Sequence, residues 1–160
     1  MLDEAEATVR ADSRWHVFYK AAAYVDFIPT AWLSWLPRLG LDRKDDTRSW
    51  FVLRLEVYNE KLDFYVEIRR MAELAKRREI VQKLVEEGTK FGFKHRGGVI
   101  KDNYTRVSGR ERVIEWTDEG SEPSEESIRA AVKKKLDDVF PKLAGVPAIL
   151  QPLLSKLPET

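Results

Sequence analysis

Trp50 to Arg70 reads WFVLRLEVYNEKLDFYVEIRR, and this stretch constrains the fold more than any other. Phe51, Leu53, Leu55 and Val57 alternate with polar residues, and so do Leu62, Phe64, Val66 and Ile68. A period of two places each set on one face of a strand, dry on one side and wet on the other. The two runs therefore predict a β-hairpin, with Arg54, Glu56, Asp63, Glu67 and Arg69 on the wet side. Asn59 tolerates the positive φ of a tight turn.

Two registers keep both apolar sets together. A turn at Asn59-Glu60 sets Glu56 opposite Asp63. A turn at Tyr58-Asn59 sets Glu56 opposite Lys61 and Arg54 opposite Asp63. Opposite charges across a pair contribute about 0.2–1 kcal/mol and like charges cost a similar amount, which favours the second register. The first would face two carboxylates toward each other, a pair that can hold a cation.

The remaining chain reads as helices able to cover the dry face. Residues 2–28 carry Trp15, Phe18, Tyr19, Ala22 and Val25 at helical spacing, and Pro29 ends that stretch. Thr30 caps a short helix with Trp32 and Trp35 on one side, read either as a core aromatic cluster or as an exposed patch. Met71 to Glu87 is an amphipathic helix, with Leu74, Val81, Leu84 and Val85 as its stripe. Arg69, Arg70, Lys76, Arg77 and Arg78 crowd its start, where positive charge opposes the helix dipole. Ser124 caps a further helix through Phe140, and Pro147 opens a last one rich in leucine.

Thr89 to Arg112 differs in character. It holds Lys90, Lys94, Arg96, Lys101, Arg106, Arg110 and Arg112 against Asp102 and Glu111, a local net charge of +5. Phe91, Phe93 and Tyr104 are interleaved, and a second hairpin around Ser108-Gly109 is expected from the strand-like runs on either side. Basic strands with aromatics suit phosphates and bases. The competing reading pairs this segment with the acidic run Asp118 to Glu126, setting Lys94 and Arg96 against Glu122 and Glu125.

The expected fold is α+β: an antiparallel sheet of three to five strands with helices packed on one face. One domain spans 1–160, with a helical lead over 1–40, the central hairpin over 50–70 and a helix over 71–88. The basic strand region covers 89–116 and the C-terminal helices 124–157. A chain of 160 residues with 43% hydrophobic and 34% charged content can bury a proper core. It contains no cysteine, which excludes disulfides and thiolate chemistry. The apolar stretch 21–41 holds Asp26, Pro29, Pro37 and Arg38, which argues against a membrane span. A cytoplasmic, soluble protein is the expectation, with no cofactor and no metal.

His16 and His95 stand apart from any ligand at metal spacing, and no nucleophile elbow or phosphate loop occurs. Asp63 with Glu67-Ile68-Arg69 comes nearest to a nuclease carboxylate pattern, but Arg stands where Lys is needed and the Asp lies on the same strand. Glu56, Asp63 and Glu67 are the only catalytic candidates. The favoured function is a non-enzymatic binding module for nucleic acid or a protein partner. Its candidate contacts are Arg54, Tyr58, Tyr65, Arg69, Lys90, Lys94, Arg96, Lys101, Arg106 and Arg110. Two alternatives are a metal-dependent hydrolase and an assembly subunit.

The order of elements resembles the C-terminal, non-catalytic part of some proteins in the PD-(D/E)XK nuclease superfamily, found in bacterial and phage restriction-like systems. The residues that carry it are Trp32 to Leu36, the Phe51–Ile68 hairpin, Arg69-Arg70 running into a helix, Glu111–Trp116 and Val139-Phe140-Pro141-Lys142-Leu143. The likeness spans roughly residues 30–154. It implies a nucleic-acid-linked or defence-linked setting, without nuclease activity because the catalytic core is missing.

Overall fold

The computed structural model describes residues 1–36, 49–88, 100–116 and 122–154. Its elements in order are α1 (Leu2–Ala11), β1 (Trp15–Lys20), β2 (Tyr24–Pro29), a 3-10 turn (Thr30–Ser34), β3 (Phe51–Val57) and β4 (Lys61–Arg69). Then come α2 (Leu74–Gly88), β5 (Tyr104–Arg106), β6 (Glu111–Glu115), α3 (Glu125–Lys142), a second 3-10 turn and α4 (Val146–Leu154). The fold is α+β. One antiparallel sheet runs β1-β2-β3-β4, and β5 and β6 both pair with the far side of β4.

The central hairpin forms as the alternation requires. Phe51, Leu53, Leu55, Leu62, Phe64, Val66 and Ile68 are all buried. Each such side chain contributes about 1.5–3 kcal/mol on burial. Helices cover this face: α1 packs on β1, β2, β3 and α3, α3 packs on β6, and α2 packs on α4. Trp32 lies buried with its ring 5.2 Å from Phe51 and 5.3 Å from Trp35, so the Trp-x-x-Trp pair belongs to the core. Ser124 caps α3 as expected, its Oγ accepting from Ser127 N at 3.2 Å.

Three sequence expectations are corrected. Residues 15–29 are not helical but form β1 and β2, so the lead over 1–40 holds one α-helix, two strands and the 3-10 turn among its described residues. Helical spacing of Trp15, Phe18 and Tyr19 coincided with strands whose apolar members, Trp15, Val17, Val25 and Phe27, share the dry face. The hairpin register is the one that sets Glu56 opposite Asp63, with Arg54 opposite Tyr65. Tyr58 and Lys61 exchange backbone hydrogen bonds across Asn59-Glu60, and both turn residues have positive φ, 47° and 58°. Such a turn matches the right-handed twist of the strands, and that geometry outweighed the small charge preference.

The third correction concerns the second hairpin. β5 pairs with the C-terminal end of β4 (Glu67↔Arg106) and β6 with its N-terminal end (Leu62↔Ile114). They lie end to end along one edge rather than folding back on each other. Val107 N donates to Val66 O, and Val66 N donates to Ser108 Oγ, so a side chain bridges the gap between the two segments.

Arg77 explains the basic crowd at the start of α2. It is fully buried. Nε donates to Arg69 O at 2.9 Å, Nη2 to Ile68 O at 2.7 Å and to Thr105 Oγ1 at 3.2 Å, and Nη1 to Lys101 O. Burial lowers its pKa, partly offset by Asp102 and Glu67. One guanidinium thus ties α2, the end of β4 and the segment entering β5.

Replacing Arg77 with Met leaves these carbonyls without their donor, at about 1–3 kcal/mol for each one that stays buried. Urea denaturation of Arg77→Met should show a loss of at least that size. Glu60 occupies a left-handed position that costs a residue with a Cβ about 1–2 kcal/mol. Glu60→Gly should therefore raise the melting temperature by a few degrees, as calorimetry can read.

Candidate functional site

The wet face of the hairpin is not bare. Arg54 donates to both Asp26 oxygens, Nε to Oδ1 at 2.6 Å and Nη2 to Oδ2 at 2.8 Å. Its Nη1 lies 3.3 Å from Glu67 Oε2, and its Cζ sits 3.7 Å from the centroid of Tyr24. The Arg54, Asp26 and Glu67 side chains are only 12%, 1% and 7% exposed. Burial alone would lower the Arg54 pKa, but the Asp26 hydrogen bonds and the nearby carboxylates raise it. Burial raises Glu67, with Arg54 opposing. Tyr65, directly across from Arg54, is pushed up to about 12, chiefly by burial.

The facing Glu56 and Asp63 do hold a cation, and it is arginine. Arg110 Nη2 lies 2.7 Å from Glu56 Oε2, a charge contact without hydrogen-bond alignment, and Nη1 lies 3.7 Å from Asp63 Oδ2. Arg112 Nε donates to Asp63 Oδ1 at 2.6 Å and Nη1 to Glu115 Oε2 at 2.6 Å. The interrupted edge of β5 and β6 thus supplies the charge that the disfavoured register needed. Arg110 also lies 5.7 Å from the Tyr58 ring and 5.1 Å from Tyr65, and Arg106 lies 5.7 Å from Tyr65.

The three catalytic candidates are therefore engaged by guanidinium groups: Glu56 by Arg110, Asp63 by Arg110 and Arg112, and Glu67 by Arg54. Among the described residues, no three Asp, Glu or His side chains gather as a metal site needs. Of the proposed contacts, Arg54, Tyr65 and Arg110 serve inside the protein. Lys90, Lys94 and Arg96 lie outside the described residues, as does their expected pairing with the acidic run. Glu122 meets the N-terminal amine at 3.1 Å.

What remains outward is one end of the sheet. There the end of β4, the start of α2 and β5 bring together Arg69, Arg70, Arg78, Lys101 and Arg106. Arg70 Nη1 donates to Asn103 Oδ1 at 3.2 Å, and Arg78 Nη2 meets Asp102 at 3.1 Å. Lys101 Nζ stands 5.0 Å from the ring of Tyr104, which is 51% exposed. Over residues 69–79 and 101–106, with the buried Arg77 left out, six basic side chains stand against three acidic ones, net +3. Over 54–63 and 110–115, around the hairpin tip, four stand against five, net −1. Among the described residues, charge is segregated along the sheet, with the β5 end basic and the hairpin tip slightly acidic.

Asp26 and Tyr24 escaped sequence reasoning because their segment read as helix. The signal was present in Tyr24-Val25-Asp26-Phe27, where polar and apolar residues alternate. No family model matches the chain, and neither a curated protein nor a solved structure is significantly similar to it. No helix among the described residues is long and apolar enough to cross a membrane.

Glu67 gives a pH test. A carboxyl group whose folded pKa lies above its ordinary 4.5 binds more protons folded than unfolded. Stability therefore falls as pH rises from about 4.5 through the folded value. Glu67→Gln removes that titration. Its stability relative to wild type should improve from pH 4 toward pH 7 in parallel urea titrations, by about 1.4 kcal/mol for each unit the pKa is raised.

Proposed function

We propose that this chain is a non-enzymatic binding module whose partner is a nucleic acid, held at the basic end of the sheet. The observation that carries this reading is the charge segregation: net +3 around Arg69, Arg70, Arg78, Lys101 and Arg106 with the buried Arg77 left out, beside a hairpin tip of net −1. Clustered Lys and Arg neutralise phosphates and release counterions, the main source of affinity for a polyanion. Chain-wide charge gives no such bias, since the formal net charge is +1. The resemblance to the non-catalytic part of PD-(D/E)XK proteins supports the same setting, nucleic-acid-linked or defence-linked. A hydrolase reading is weaker, because Glu56, Asp63 and Glu67 already neutralise arginines.

Salt-titrated fluorescence anisotropy with labelled DNA and RNA tests the proposal. The logarithm of affinity should fall linearly with the logarithm of salt between about 50 and 200 mM. Lys101→Ala and Arg106→Ala should each weaken binding uniformly across sequences and reduce the slope by about one. Arg110→Ala, at the tip, should leave the slope unchanged. Weak, salt-insensitive binding would remove nucleic acid as the partner.

A further inference from the structure

We infer that the basic end of the sheet takes single-stranded rather than duplex nucleic acid, with Tyr104 as the side chain on which an unpaired base stacks. This rests on the nucleic-acid reading above and narrows it. Tyr104 lies opposite Arg69 and Arg106 opposite Glu67, so both project from the polar side of the sheet. A half-exposed tyrosine by itself is ordinary. This one stands among the cations, with Lys101 Nζ 5.0 Å from its ring centroid and Arg106 two residues on.

The neighbouring aromatic on that side is already engaged. Tyr65 is 3% exposed and lies beneath Arg106 and Arg110. Among the described residues, Tyr104 is thus the ring at this end with an accessible surface. Reading a duplex takes an element that enters a groove, a helix or a two-stranded ribbon. β5 is a three-residue segment already hydrogen-bonded to β4, and it presents a side chain from a sheet surface. That arrangement suits a base splayed out of its stack, with its flanking phosphates on Lys101, Arg106 and Arg70.

The test measures the full chain against an oligothymidine and a duplex of equal length at two salt concentrations. Wild type should favour the single strand. Tyr104→Ala should weaken single-strand binding about five- to a hundred-fold while leaving duplex binding and the salt slope unchanged. Tyr104→Phe should restore it, because the ring stacks and the hydroxyl does not. Thermal melting of each variant confirms that the fold is retained. Duplex binding as tight as single-strand binding, with Tyr104→Ala silent on both, overturns this inference while leaving the basic-end reading in place. Absence of binding to either form overturns both.

Discussion

The bidentate pair of Arg54 and Asp26 is the contact on which the sheet's polar side depends. It joins β2 to β3 and, through Glu67, reaches β4. Charges buried to this degree are retained only with partners, and removing one partner from such a set typically costs about 3–5 kcal/mol. The same logic governs the hairpin. Setting Glu56 against Asp63 is unfavourable for two strands in isolation, and Arg110 and Arg112 reverse that. The register of the first hairpin is therefore stabilised by residues some fifty positions away in the chain.

This is why the hairpin was legible and its register was not. Alternation of Phe51 to Val57 and of Leu62 to Ile68 is a local signal, and it located both strands and their buried face. The choice of register depended on a turn preference and on guanidinium groups from another strand. Local pair energies alone pointed the other way. β1 and β2 failed for a related reason. Ala21-Ala22-Ala23 favours helix in isolation, yet it forms the connection between two edge-side strands whose neighbours in the sheet decide their state. The basic character of the β5 end was visible in composition. Which cations would be spent internally was not, since Arg54 and Arg110 read like any other residue of a wet strand face.

Arg77 links the scaffold to the outward surface. Its guanidinium is held by the backbone carbonyls of Ile68, Arg69 and Lys101, so it fixes the chain at the two points from which Arg69 and Lys101 project. The positive charge at the start of α2, unfavourable for the helix dipole, is placed there by tertiary structure. That anchoring ties the segment carrying Lys101 to the end of β4, and such support holds side chains near a fixed geometry.

The gap between β5 and β6 has an effect beyond the molecule's own sheet. An outer strand with a continuous row of unpaired amides and carbonyls is a template on which another chain can add and from which fibrils grow. Here the Ser108 hydroxyl, not a backbone carbonyl, receives Val66 N, and the pairing with β6 shifts register further on, between Leu62 and Asp63. A second copy laid along this side would find matching groups over only three residues of β5 and five of β6. The break that delivers Arg110 to the carboxylates also leaves this edge of the sheet a poor template for another chain.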